Sequence, residues 1–90
     1  MSSSPKWHPE GNTIGVEFLL AELDIALTFM DVAEGSQIPE NVSRNHKNAH
    51  DAYDSVLRHL PKVRLSAAQS EAINGKMAVL TARLKAVGQL

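Results

Sequence analysis

The chain has 90 residues, of which 43% are hydrophobic and 21% charged, so we expect one small folded domain rather than a disordered chain. Nine basic and ten acidic side chains give a net charge of -1 without blocks of like sign, which argues against a nucleic-acid or membrane-surface partner. Cysteine is absent, which removes disulfides and thiolate ligands, and we expect a cytoplasmic protein.

The N-terminal residues 1–12 are predicted to be a flexible tail, and residues 13–90 a single domain. The first five residues lack the basic start and apolar core of a secretory signal. The most apolar stretch, residues 14–33, is long enough to cross a membrane. It is interrupted by four carboxylates, which make a membrane span costly: Glu17, Glu22, Asp24 and Asp31. We therefore expect a buried helix of a soluble protein.

The first predicted helix covers residues 13–34. Asn12 or Thr13 can cap its N-terminus, and the run that follows contains almost no helix-breaking residue until Gly35 supplies a C-terminal signal. A second helix is predicted at 39–60, because Pro39 suits the first turn of a helix and Pro61 stops the pattern.

The third predicted helix covers residues 66–87. Ser66 and Gln69 have the spacing of a capping box, in which each side chain satisfies a free backbone N–H of the other. No stretch alternates apolar and polar residues for long enough to form a strand. The sequence therefore predicts an all-α fold, a three-helix antiparallel up-down bundle with short connections.

The first helix differs from the other two because it has two apolar seams. Helices two and three each carry one apolar stripe. On helix one, a first seam contains Val16, Leu20, Leu23, Leu27 and Met30. A second seam lies on nearly the opposite side and contains Phe18, Ile25, Phe29 and Val32. An apolar surface on both sides normally means that a helix is covered on both sides.

We interpret the second seam as a partner interface, and a homodimer as the arrangement that covers it. Exposed apolar patches mark sites of association, and two-fold dimers are the commonest oligomers. Two other interpretations stay open. The N-terminal tail with Trp7 can cover the seam, or a broad cleft between helices two and three can accommodate it.

Two histidines one helical turn apart, His46 and His50, have the spacing by which imidazoles share a metal ion. A metal site needs a third and a fourth ligand, and the sequence offers neither cysteine nor a second histidine cluster. We therefore expect no metal and no cofactor, with His46 at the edge of the core and His50 on the surface.

The segment from Arg44 to His50 reads Arg-Asn-His-Lys-Asn-Ala-His. It resembles the motif of HEPN-type ribonucleases, helical proteins in which an arginine and a histidine of each protomer meet at a dimer interface. The resemblance implies metal-independent RNA cleavage, with His50 as general acid or base and Arg44 stabilising charge on the phosphate. On a straight helix these residues point about 120° apart, so a bend or a second chain must bring them together.

No other catalytic pattern is present, since the chain has neither a nucleophile elbow nor a phosphate-binding glycine loop. The main interpretation is therefore a non-enzymatic protein-interaction or structural module. We expect it to form a homodimer whose remaining groove or polar face can bind another protein. A ribonuclease using Arg44 and His50 is the alternative.

Overall fold

The computed structural model describes residues 9–90, and of Pro9 and Glu10 the backbone alone. This part of the chain contains three α-helices and a short 3-10 helix, and no strand. They are α1 (Pro9–Gly35), α2 (Pro39–His59), the 3-10 helix (Leu60–Lys62) and α3 (Ala67–Ala86). The all-α prediction is thus confirmed for the described residues. Residues 1–8 of the predicted tail, with Trp7, lie outside them.

Helix α1 begins at Pro9, earlier than the predicted start at residue 13, so residues 9–12 of the predicted tail are helical. Asn12 does not cap the helix but bonds to the chain just before α3. Its Nδ2 donates to the carbonyl oxygen of Arg64 at 2.9 Å, and its Oδ1 accepts from the Arg64 N–H. These two bonds join the first turns of α1 to the segment just before α3.

Helix α2 begins at Pro39, as predicted, after Ile38 in extended conformation. Its α-helical part ends at His59, one residue before the predicted end. The chain then makes one 3-10 turn that contains Pro61. Proline is tolerated there because the first turn of a helix needs no N–H donor.

Helix α3 begins at the predicted capping box. Ser66 Oγ accepts from the Gln69 N–H at 3.1 Å, and Gln69 Oε1 accepts from the Ser66 N–H at 2.9 Å. The helix ends at Ala86, and Gly88 just beyond it has a φ of 79°, the left-handed conformation that glycine favours. The Gly88 N–H donates to the Lys85 carbonyl and the Gln89 N–H to the Leu84 carbonyl, which is a Schellman motif.

The core lies along one face of α1, which contacts both other helices, whereas α2 and α3 contact each other little. This face follows a four-three spacing: Val16, Leu19, Leu23, Ala26, Met30 and Ala33, all buried. It packs against Ala49, Ala52 and Val56 of α2, and against Ile73, Leu80 and Leu84 of α3. The buried face is rotated from the predicted first seam, since Leu20 and Leu27 are only partly buried.

Contacts between the helices give their directions. Phe18 near the start of α1 lies against His59 at the end of α2, while Met30 further along α1 borders a groove with His46. These two helices therefore run in opposite directions. Ion pairs join Asp24 to Lys76 and Asp31 to Arg83, so α1 and α3 run in the same direction.

Candidate interaction surface on helix α1

The side of α1 that faces away from the core carries a mostly apolar row of residues from Ile14 to Gly35. Seven positions spaced four and three residues apart form this surface, which we name the outer seam. Its members are Ile14, Phe18, Ala21, Ile25, Thr28, Val32 and Gly35, and all are exposed. Helix α1 thus carries two parallel seams of the kind used in coiled coils, and within the described chain only the inner one is covered.

Four large side chains dominate the outer seam. The exposed fraction is 68% for Ile14, 38% for Phe18, 45% for Ile25 and 50% for Val32. Soluble proteins tolerate single exposed apolar side chains, but a continuous row of them marks a site of association. Three residues of the interface predicted from the sequence, Phe18, Ile25 and Val32, thus lie exposed in one row with Ile14.

The structure separates Phe29 from the three other residues of the predicted interface. Phe18, Ile25 and Val32 are exposed, whereas Phe29 is half-buried and packs against the core. Phe29 and Ile25 line a groove of about 350 Å³ between α1 and α2, together with Glu22, Asn48, Asp51 and Ala52. Phe29 is therefore a wall of this groove rather than part of the exposed row.

Ile14 was missed by the sequence analysis. It borders a second groove, of about 310 Å³, at the N-terminal end of the outer seam. This groove is lined by Gly11, Ile14, Gly15, Phe18, His59, Lys62 and Val63. The signal that could have found Ile14 is its position four residues before Phe18, which continues the four-three spacing of the seam.

One wall of this second groove is held in place by Phe18 and His59. Their ring centroids are 4.9 Å apart, and the planes are tilted by 59°. His59 Nδ1 donates to the backbone carbonyl of Ser55 at 2.8 Å, which fixes the ring on α2. Phe18, which is 38% exposed, thus packs against a ring that is itself bonded to α2.

The edge of the outer seam towards α3 is acidic and partly neutralised. Asp24 Oδ1 accepts from Lys76 Nζ at 2.6 Å. Arg83 bridges two carboxylates, with Asp31 at 2.8 Å and Glu34 at 3.1 Å. Within the described chain Glu17, on the same edge, has no ion-pair partner. The surface is thus an apolar row beside carboxylates, three of which are bound by bases of α3.

Arg44 and His50 are not brought together within the chain. Arg44 Nη2 donates to Asn41 Oδ1 at 2.7 Å, while His50 Nε2 lies 3.6 Å from Asp54 Oδ1. Both contacts run along α2, which is continuous from Pro39 to His59. The six-residue separation between the two side chains therefore leaves them on different sides of the helix.

His46 and His50 also have different surroundings. His46 borders a groove of about 210 Å³ with Met30, Glu34, Arg83, Ala86 and Val87, whereas His50 pairs with Asp54. Among residues 9–90, no three His, Cys, Asp or Glu side chains are grouped so that they could hold a metal ion. The same part of the chain has no helix long and apolar enough to cross a membrane.

Comparisons with protein-family models, with curated proteins and with solved structures find no match to this chain. The surface described above is therefore the basis for a functional assignment.

Proposed function

We propose that this protein is a non-enzymatic interaction module, an up-down three-helix bundle that forms a homodimer through the outer seam of α1. The observation that carries the proposal is the unbroken exposed row from Ile14 to Val32 on a helix whose opposite face is fully buried. The opposite directions of α1 and α2, and the shared direction of α1 and α3, support the up-down arrangement.

The size of the protein also favours association. A domain of 90 residues buries a smaller share of its surface than a larger one, and this limits the stability of its monomer. Covering the outer seam removes apolar surface from water, and each Å² removed stabilises the dimer by about 25 cal/mol. A dimer therefore stabilises the fold while hiding the apolar row.

The groove near His46 remains available for another protein in such a dimer. We propose the cytoplasm as its location, because a chain without cysteine does not depend on an oxidising compartment. The role is that of a structural or docking component, in which binding rather than chemistry is the activity.

The test is the solution mass, measured by light scattering after size exclusion over a range of concentrations. We expect twice the chain mass for the unaltered protein and the chain mass for Ile25→Glu, because a buried carboxylate at the centre of the seam is costly. Ala82→Glu, on an exposed position of α3, is the matched control and should leave the dimer intact. Circular dichroism checks that both variants fold.

A folded Ile25→Glu protein with the same mass as the unaltered dimer contradicts the proposed interface. A monomeric unaltered protein at all concentrations contradicts the homodimer itself, and leaves the outer seam to a different partner.

A further inference from the structure

The outer seam has a regular alternation of large and small residues. Phe18, Ile25 and Val32 are seven residues apart and form a line of large side chains. The line beside it begins at Ile14 and continues, again every seven residues, with the small residues Ala21, Thr28 and Gly35. Such a surface can be its own complement, provided that the large line of one copy meets the small line of the other.

The direction of pairing decides whether this happens. In a parallel pair of helices each position meets its own copy, so layers of two large residues would alternate with layers of two small ones. The small layers would leave voids, which core packing avoids. In an antiparallel pair the large line meets the line that contains the small residues. Phe18 and Ile25 can then each face a small residue, and only the end layers combine two large ones, Ile14 with Val32.

We propose that the α1 helices of two copies pair antiparallel, with Ile14 of one copy opposite Val32 of the other. This inference rests on the homodimer proposed above. In this register Phe18 meets Thr28 of the second copy, and Ile25 meets Ala21. Each contact occurs twice because the dimer has a two-fold axis.

The same register fills the groove at the N-terminal end of the seam. The groove is bordered by Ile14 and Phe18 and has glycines in its lining, so a medium-sized apolar side chain can enter it. Val32 of the second copy arrives beside Ile14 and is itself half exposed in the single chain. The most exposed apolar side chain of the seam is thereby covered.

The carboxylates beside the seam differ in their neighbours between the two directions. The antiparallel pair brings Asp24 close to its own copy at the two-fold axis, where each Asp24 is already bound by Lys76. A parallel pair would place Glu17 of one copy against Glu22 of the other, because these flanking positions face each other in parallel coiled coils. In the antiparallel pair Glu17 faces the edge that contains Asp31 of the second copy. That carboxylate is already bound by Arg83, so Glu17 meets a cation there as well as an anion.

The area of the seam indicates a dimer of moderate affinity. The four large side chains expose roughly 350 Å² per copy, compared with about 800 Å² per partner in a standard interface. The small residues of the seam and the neighbouring flank of α2 must supply the rest. We therefore expect dimerisation to depend on concentration in the micromolar range or above.

Single-cysteine variants test the direction, since the chain contains no cysteine of its own. Ile14→Cys and Val32→Cys both alter exposed positions and are mixed in equal amounts under mild oxidation with oxidised glutathione. Positions 14 and 32 are about 27 Å apart along α1, far beyond the reach of a disulfide. Intact mass spectrometry separates the products, because the two variants differ in mass by one methylene group.

We expect the mixed dimer to exceed the self-linked dimers by roughly tenfold, because the antiparallel register brings the thiol at position 14 only to the thiol at position 32 of the second copy. Self-linked dimers of each variant would overturn the antiparallel direction while leaving the homodimer in place. Cross-linking no faster than that of Ala82→Cys, an exposed position on α3, would overturn the homodimer and this inference with it. Phe18→Cys mixed with Thr28→Cys repeats the test if either first variant folds poorly.

Discussion

Asp24 on α1 and Lys76 on α3 are joined by a hydrogen bond of 2.6 Å, and the pair Asp31 and Arg83 repeats this contact seven residues further along both helices. Asn12 and Arg64 are separated by the same 52 residues and bond in the same register. Because both helices rise equally per residue, one fixed offset keeps them aligned over most of the length of α1. The polar contacts therefore follow the same register as the apolar core between α1 and α3.

Replacing the two cations of α3 should have unequal effects. Lys76→Met removes one exposed ion pair, and we expect a loss of unfolding free energy of less than about 1 kcal/mol. Arg83→Met leaves two carboxylates without their cation and disturbs a side chain that is only 26% exposed, so we expect about 1–2 kcal/mol. Urea unfolding at low and high salt measures both, and equal losses for the two variants would contradict this assignment.

Gly15 of α1 should be sensitive to replacement by alanine. A Cβ added there would lie 2.6 Å from Val63 Cγ1, so the connection after α2 packs directly against the α1 backbone. We expect Gly15→Ala to lower the unfolding free energy by about 1–2 kcal/mol in spite of the better helix propensity of alanine. Thermal unfolding monitored by circular dichroism measures the change.

The matched control is Gly75→Ala in α3, where an added Cβ has nothing within 4 Å. This variant should gain about 0.5–1 kcal/mol, because alanine favours the helix interior. Combining Gly15→Ala with Val63→Ala should cost less than the sum of the two single losses, since Val63→Ala removes the clashing methyl group. If Gly15→Ala is as stable as Gly75→Ala, the close approach of Val63 is not as tight as the structure indicates.

Phe29 and Ile25 should differ in their effect on the fold. Phe29 packs against the core, so Phe29→Ala should cost about 2 kcal/mol of unfolding free energy. Ile25 is exposed in the single chain, so Ile25→Ala should cost much less below the concentration at which the protein dimerises. Chemical denaturation of both variants at low protein concentration distinguishes them, and the reverse order would place Ile25 in the core.

The sequence alone predicts where a helix begins when the signal is local. Pro39 begins α2, and Ser66 with Gln69 begins α3, because proline geometry and a capping box act within one helical turn. The start of α1 was not predictable in this way. Residues 9–12 join the helix, and Asn12 is held by Arg64, a contact 52 residues away that no local pattern encodes.

The candidate site was only partly predictable for a similar reason. Periodicity places Phe18, Ile25 and Val32 on one side of α1, and the structure leaves them exposed. Periodicity alone cannot show that α2 packs beside Phe29. The half-buried Phe29 and the exposed Ile25 are separated by only about 40° of rotation around the helix axis. Ile14 was not predicted because it lies next to the predicted start of the helix. It also belongs to the line of seam positions that otherwise contains the small residues Ala21, Thr28 and Gly35.

The capping box of α3 gives a prediction that does not depend on dimerisation. Ser66 Oγ is the acceptor for the Gln69 N–H, one of the free donors at the helix N-terminus. Ser66→Ala should therefore lower the unfolding free energy by about 1 kcal/mol. Ser43→Ala, on an exposed position of α2, is the control and should change it by less than about 0.5 kcal/mol.

Hydrogen exchange locates the effect within the molecule. With Ser66→Ala, the amides in the first turns of α3 should exchange faster, while those of the Schellman motif around Gly88 should keep their rates relative to the rest of the helix. Gln69→Ala should reproduce about half of the loss, because it removes only the return bond to the Ser66 N–H. A uniform acceleration over all three helices would instead show that α3 unfolds only together with the whole domain, so that its N-terminus has no separate opening reaction.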